Sequence, residues 1–394
     1  MEAKRHTIIE DINACIVKSM KPLLCIEYCY GIFRCRLSGR YSEAIDLRMK
    51  MIGIAITITW VTVFFFAIGY SIESLKQLMQ QDKVIFILTG FTYAGSSIVF
   101  VFFHTQKYHK AVEILAKVDI ALFANIDQKI YKMSIRQCKI LLILHVLHCV
   151  ASLALSAYFP EGFNKILLSL FSLIYCENKI EMYVFCQFLY MLKQRLLLIR
   201  KYLSKLNFDR NHDIFMVNTK SLVDFNFIGH ISNTNYKIRD LACAYSKIGK
   251  VSMLINEIYN GFLLSTLAMA FFYIILAVWS NLYGYTYDKS CLCSFSTMFY
   301  VLVEILSIIL LSCFCENVIA ARNDLNNLLF RITTQENLPL SMRYQAKVFM
   351  KLTEIWNLSI KVFDTFEVNL SIILKLFSIC TTYLIVVIQV YRLV

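Results

Sequence analysis

The chain has 394 residues, of which 58% are hydrophobic and only 17% charged, and its mean hydropathy is +0.59. A water-soluble domain cannot hide that much apolar surface, so the composition excludes a soluble fold and calls for a bilayer. The net charge of +13 would suit a nucleic-acid binder, but the cations stand beside apolar runs, where they set membrane orientation and meet anionic lipid.

In chain order, residues 1–20 are mixed polar and lack an apolar core, so no cleavable signal peptide is expected and 1–50 reads as a cytoplasmic N-terminal segment. Uncharged runs at 51–70, 84–103, 140–159 and 261–279 each match the length of one spanning helix. Three further spans carry charge: 166–190 with Glu177, Lys179 and Glu181, 295–315 with Glu304, and 370–390 with Lys375. An ionisable residue inside a span is by default a functional candidate. The expected fold is therefore all-α, with seven transmembrane helices. Spans one to six and the loops 104–137 and 193–252 occupy 51–317, a helical cytoplasmic segment follows at 318–367, and the last helix takes up 368–394.

Of the 40 Lys and Arg residues, 32 fall in 1–50, 104–137, 193–252 and 318–367, and only 5 fall on the opposite side. The positive-inside rule then makes the N-terminus cytoplasmic, and an odd number of spans puts Val394 outside. Sequons at Asn357 and Asn369 lie on the cytoplasmic side and are not expected to carry glycans. Apolar residues at helical spacing, Leu196, Ile199 and Leu203, then Leu325, Leu328 and Leu329, predict amphipathic helices that project below the membrane as an anchor layer. Their apolar faces need a cover, from the same chain or from a second copy.

No nucleotide-binding glycine loop, HExxH, GxSxG or CxxC pair occurs, so no enzyme and no cofactor are expected. His145, His148 and Cys149 lack further ligands and read as polar packing, as do Cys25, Cys29 and Cys35, so no metal is expected. Cys291 and Cys293, in an outer loop, read as free thiols or as partners of other groups.

The last span carries a pattern of its own. Ser371, Lys375, Ser378, Thr382 and Gln389 fall on one line along the helix at about 100° per residue, with Ile385 at the remaining position. Such a stripe is costly against lipid. It either bonds to neighbouring helices within one bundle or faces an aqueous pore, where hydroxyl and amide groups replace part of an ion's hydration shell and Ile385 forms a dewetting constriction.

The run Thr382-Tyr383-Leu384-Ile385-Val386-Val387-Ile388-Gln389 resembles the insect gustatory receptor signature, which reads Thr-Tyr, five hydrophobic residues and Gln-Phe, with Val390 here in place of the final Phe. Length, inverted orientation and helical cytoplasmic segments are similar to that family as well. The resemblance implies a ligand-gated, non-selective cation channel, assembled as a tetramer with the last helix of each subunit lining the pore. Gln389 and Val390 would stand near its outer mouth, with Ser378, Thr382 and Ile385 along its wall, and Tyr383 would pack against neighbouring helices. Lys375 would snorkel toward the cytoplasmic interface, because a ring of lysines repels cations.

Sugar-sensing members commonly carry Glu after the Thr-Tyr pair. Leu384 stands there in this chain, which makes a bitter or plant-derived tastant the expected ligand. In the family the ligand pocket lies among the outer halves of the helices, which points to Tyr158, Ser172, Phe272, Tyr273, Tyr300 and Glu304, with Glu177 and Glu181 as rivals to Glu304. The structural alternative for these carboxylates is pairing with Lys179. A receptor coupled to G proteins would place the N-terminus outside, against the charge split, so no G protein is expected. An insect odorant receptor is the nearer alternative, since it shares the architecture.

Overall fold

The structure, a computed structural model, describes residues 2–35, 45–70, 80–122, 129–157, 165–208, 236–286, 291–336 and 338–393. Helices α1 (Glu2–Cys29) and α2 (Leu47–Tyr70) are followed by α3 (Gln80–Val99), which runs through one π turn at Phe100–His104 into α4 (Thr105–Ala121). Next come α5 (Lys129–Ala157), α6 (Lys165–Phe208), α7 (Tyr236–Thr286), α8 (Cys291–Thr334) and α9 (Leu340–Ile355). A hairpin of β1 (Lys361–Val362) and β2 (Phe366–Glu367) leads into α10 (Ser371–Leu393).

Among the described residues, six helices are long and apolar enough to cross a membrane: α2, α3 with α4, α5, α6, α7 and α8. The 23 residues of α10 reach about 34 Å at ~1.5 Å per residue, enough for a seventh crossing. The apolar window of α6 is 83% buried, against 22% in α2 and in α5, so α6 is the axis of the bundle and the other two face lipid. That position explains why α6 tolerates Glu177, Lys179, Glu181, Gln187 and Arg195. Polar groups survive at membrane depth only where protein surrounds them.

The basic segments between spans are largely continuations of the spanning helices: α6 runs on to Phe208, α7 starts at Tyr236 and α8 ends at Thr334. The apolar residues at helical spacing are covered by the protomer itself. Leu196, Ile199, Leu203, Leu325 and Leu329 are fully buried in one core cluster, which answers the question of their cover in favour of the same chain. Deep in that layer, Arg195 donates from Nε and Nη2 to Asp119 on α4, at 2.8 and 2.5 Å, and Tyr131 donates to the same carboxylate at 2.8 Å.

A Schellman turn ends α1. The Ile32 N–H donates to the Glu27 carbonyl at 3.0 Å and the Gly31 N–H to the Tyr28 carbonyl at 3.2 Å, with Gly31 at φ +85°. The turn folds the chain back so that Arg34 meets Glu27 with two bonds, 2.6 and 2.7 Å long, and donates to Glu181 at 3.2 Å. It also brings Gly31 against Gly53 of α2 so closely that a Cβ on Gly31 would lie 2.7 Å from the Gly53 carbonyl oxygen.

The hairpin is tied to α7. The Lys361 and Phe363 N–H groups donate to the side-chain carbonyls of Asn256 and Asn260, at 3.0 and 2.6 Å. Val362 pairs with Phe366 across a three-residue loop, in which Phe363 and Asp364 have positive φ and the Thr365 N–H donates to the Val362 carbonyl at 2.9 Å. The sequon residue Asn369 starts α10, with its side-chain oxygen accepting from the Ser371 N–H at 3.0 Å.

Gly31→Ala is expected to lower the melting temperature of the detergent-solubilised protein, since left-handed backbone costs a residue with Cβ about 1–2 kcal/mol before the clash with Gly53 is added. Gly69→Ala, within α2 where a Cβ would meet nothing within 4 Å, serves as the control and should not lower the melting temperature.

Candidate functional site

The residues expected at a functional site fall in two regions, the surface of α10 and a polar cluster around α6. On α10, Ile372, Leu376 and Cys380 are buried at 5, 9 and 2%, which fixes the face that packs on the protomer. Tyr383 meets Phe271 of α7 edge-on, with ring centroids 5.6 Å apart, although half of its side chain stays exposed. At about 100° per residue the polar stripe lies on the other side of the helix. Ser371, Lys375, Ser378, Thr382, Ile385 and Gln389 are all exposed. The side chain of Val390 lies outside the described residues. Thr382 donates to the Ser378 carbonyl at 2.9 Å, which fixes its hydroxyl on the helix and leaves the lone pairs free to accept from or coordinate what lies beyond.

The second region is built from α5, α6, α7 and α8. Ser172 lies 2.7 Å from the hydroxyl of Ser156 and 3.1 Å from that of Tyr300. One turn along α6, Tyr175 donates to Glu304 Oε1 at 2.8 Å, and a further turn along, Lys179 reaches the same oxygen at 2.7 Å. The rings of Tyr175, Tyr273 and Tyr300 form a triangle with centroid separations of 5.0, 5.8 and 6.2 Å. Phe171 closes one side, 5.6 Å from Tyr300 and 4.4 Å from Phe86 of α3.

Four of the six residues expected at a pocket therefore converge: Ser172, Tyr273, Tyr300 and Glu304. Phe272 does not. It is 44% exposed and points outward, because adjacent residues on a helix diverge by about 100° and Tyr273 takes the inward direction. Tyr158 lies outside the described residues, and so do the side chains of Cys291 and Cys293. Glu304 has the ion-pair partner that the structural alternative assigned to it, so its negative charge is matched inside the protomer. Glu181 is held by Arg34, whereas both carboxylate oxygens of Glu177 are buried without a partner among the described residues.

Sequence reasoning passed over Tyr175, Ser156 and Phe171. Ser172, Tyr175 and Lys179 share one face of α6 by their i, i+3, i+7 spacing, and that was the available signal. The cluster is tightly filled, with a void of 20 Å³ beside Glu304 and Lys179, room for about one water molecule. A larger guest has to displace rings, above all Tyr300, which is only half-buried.

A family model described as 7tm chemosensory receptor matches residues 21–391. No curated protein sequence matches the chain. Among solved structures, the insect olfactory receptor OR5 from Machilis hrabei is similar at a TM-score of 0.66 and 13% identity, over 95% of this chain and 98% of that one. The same receptor in complex with eugenol is similar at a TM-score of 0.61 and 14% identity, over the same shares. At such identities the likeness establishes the fold alone.

Removing one partner of a buried ion pair costs about 3–5 kcal/mol, whereas replacing both with apolar groups is often neutral. Glu304→Gln is thus expected to lower the melting temperature and Lys179→Met/Glu304→Leu to restore most of it, as thermal unfolding followed by fluorescence will report. Recovery by the double variant identifies the pair as structural rather than as a charge kept for a ligand.

Proposed function

We propose that this chain, which belongs to the 7tm chemosensory receptor family, is a subunit of a ligand-gated, non-selective cation channel opened by a small organic molecule. It is a multi-pass membrane protein. The observation that carries the channel reading is the placement of the polar stripe. Ser378, Thr382, Ile385 and Gln389 occupy the side of α10 that the protomer leaves uncovered, opposite the face anchored by Leu376 and Cys380. Hydroxyls and an amide exposed along a spanning helix need water or a protein neighbour. Four copies about an axis would supply both, with water in the centre and adjoining subunits against flanking residues such as Ile379 and Val386, which are 57 and 50% exposed.

In this reading the N-terminus is cytoplasmic, as the 32 cations on one side against 5 on the other require. The protein sits in the plasma membrane of sensory neurons as a homotetramer, with room for other receptor subunits. Domain divisions follow the helices: the spans up to 317, an anchor segment to 367 and the pore helix beyond. The ligand enters the cluster of Ser172, Tyr273, Tyr300 and Glu304, where aromatic faces and a few fixed polar groups suit an apolar compound with one or two oxygens. The Thr382-Tyr383…Gln389 spacing favours a gustatory receptor, and Leu384 favours a bitter or plant-derived tastant over a sugar. The second reading is an odorant receptor, favoured by the fold shared with an olfactory receptor. That receptor's complex with eugenol supports a small plant compound as the class of ligand under either reading.

Expression of the chain alone in oocytes, with currents recorded against panels of bitter compounds, sugars and volatile phenols, tests the proposal. A cation current evoked by a member of the bitter or phenolic panel is expected, and Gln389→Ala is expected to change its relative permeability while leaving the ranking of ligands intact. Responses that depend on a G protein, with no conductance of the chain's own, would overturn it.

A further inference from the structure

Next to the aromatic cluster lies a separate cavity of 260 Å³ between α3 and α7, sharing the wall of Thr92, Phe262 and Ser265 with the small void beside Glu304. Three buried polar atoms without a hydrogen-bond partner among the described residues belong to side chains that line it: Arg34 Nη1, the Tyr259 hydroxyl and His104 Nδ1. Arg34 and Tyr259 are each only 1% exposed, so water does not reach them freely. Unpartnered donors at that depth are costly, and an uncompensated polar group of this kind calls for an occupant. The π turn contributes to the arrangement, with Phe100 beneath the Arg34 guanidinium at 4.3 Å and His104 at the end of the same turn.

The mouth of the cavity is on the lipid-facing surface. Of the lining residues, Gly95, Val99 and Gly261 are exposed, and a Cβ on either glycine would meet nothing within 4 Å. Just beyond the cavity the uncharged runs of α3 and α7 give way to charge, with Lys107 paired to Glu257 at 2.8 Å. The entrance thus stands where hydrocarbon meets head groups.

Charge decides what fits. Arg34 is already held by two carboxylates, Glu27 and Glu181, so an anionic head group would face an excess of negative charge. Arg34 Nη1 can only donate. The occupant therefore offers a neutral oxygen acceptor and an apolar body. We propose that this cavity is a second ligand site, entered sideways from the bilayer, for a neutral lipid of the monoacylglycerol type. A head-group oxygen accepts from Arg34 Nη1 and exchanges a hydrogen bond with Tyr259, and the acyl chain leaves between Gly95 and Gly261. Through the shared wall, occupancy bears on the packing around Glu304.

The test uses the full-length protein in phosphatidylcholine nanodiscs with a photoreactive diazirine monoacylglycerol, followed by mapping of the labelled peptides. Label concentrated in 92–104 and 258–265 and displaced by unlabelled monoolein is the expected result. Gly95→Leu/Gly261→Leu fills the open mouth with residues that favour helix and should cut that label about tenfold. Tyr259→Phe removes a hydroxyl that has no partner among the described residues, so the fold is retained while displacement by monoolein weakens about fivefold, as the loss of one hydrogen bond predicts. Label spread evenly over the lipid-facing α2 and α5 and unchanged in the plugged variant would overturn the site. Displacement by oleate or by free glycerol as effective as that by monoolein would overturn the neutral, bilayer-borne ligand. The readout is binding alone, so it stands apart from whether the chain conducts.

Discussion

Three charged side chains on the central helix, Lys179, Glu181 and Arg195, are neutralised by partners on other elements, and those pairs fix how the bundle is put together. Lys179 is matched by Glu304 on α8, Glu181 by Arg34 from the turn after α1, and Arg195 by Asp119 on α4. A carboxylate or guanidinium left alone at these depths would cost several kcal/mol, so each pair dictates which element stands against α6 and at what height. Close apolar packing then fills the space between the pairs, but apolar surfaces alone are tolerant of sliding and do not set a register. The Schellman turn at Gly31 belongs to the same logic, because without the reversal Arg34 would not return to Glu27 and Glu181.

The helix that carries the proposed channel is attached differently. No ion pair ties α10 to the bundle among the described residues. It leans on α7 and α8 through a narrow apolar face, and the polar side is left uncovered. In the proposed channel, this attachment leaves α10 without the charge pairs that hold the other helices in register. The filled aromatic cluster lies among α5 to α8, and under the proposed function a ligand that displaces its rings would act on the helices against which α10 rests.

Much of this was legible in the sequence. Spans declare themselves through runs of uncharged residues, and the stripe on α10 through its spacing, because both are local patterns whose meaning does not depend on what packs nearby. Convergence of Ser172, Tyr273, Tyr300 and Glu304 could be anticipated from depth along the spans. Phe272 could not be separated from Tyr273, since two adjacent aromatics in an apolar run give no sign of which faces inward. The roles of Arg34, Asp119 and Arg195 were hidden for another reason. They sit in segments whose cations were counted as solvated determinants of orientation, yet the helices continue past the bilayer and fold on one another, which buries charge that composition assigns to water. The hairpin was equally silent, because its turn residues, Phe363 and Asp364, lack the glycine that ordinarily marks such a turn.

That hairpin has a mechanical consequence. Residues 368–370 are all that separates β2 from the first turn of α10, and Val368 is fully buried, its N–H bonded to the Ile360 carbonyl at 2.8 Å. With Asn256 and Asn260 of α7 holding Lys361 in the other strand and Phe363 in the loop, the hairpin ties the middle of α7 to the beginning of α10. Within the proposed channel, a tilt or rotation of α7 would be delivered to the foot of α10 as torque rather than being lost in a loose linker. The connection is held by four backbone and side-chain hydrogen bonds and by the burial of Ile360, Val362 and Val368 in the main core.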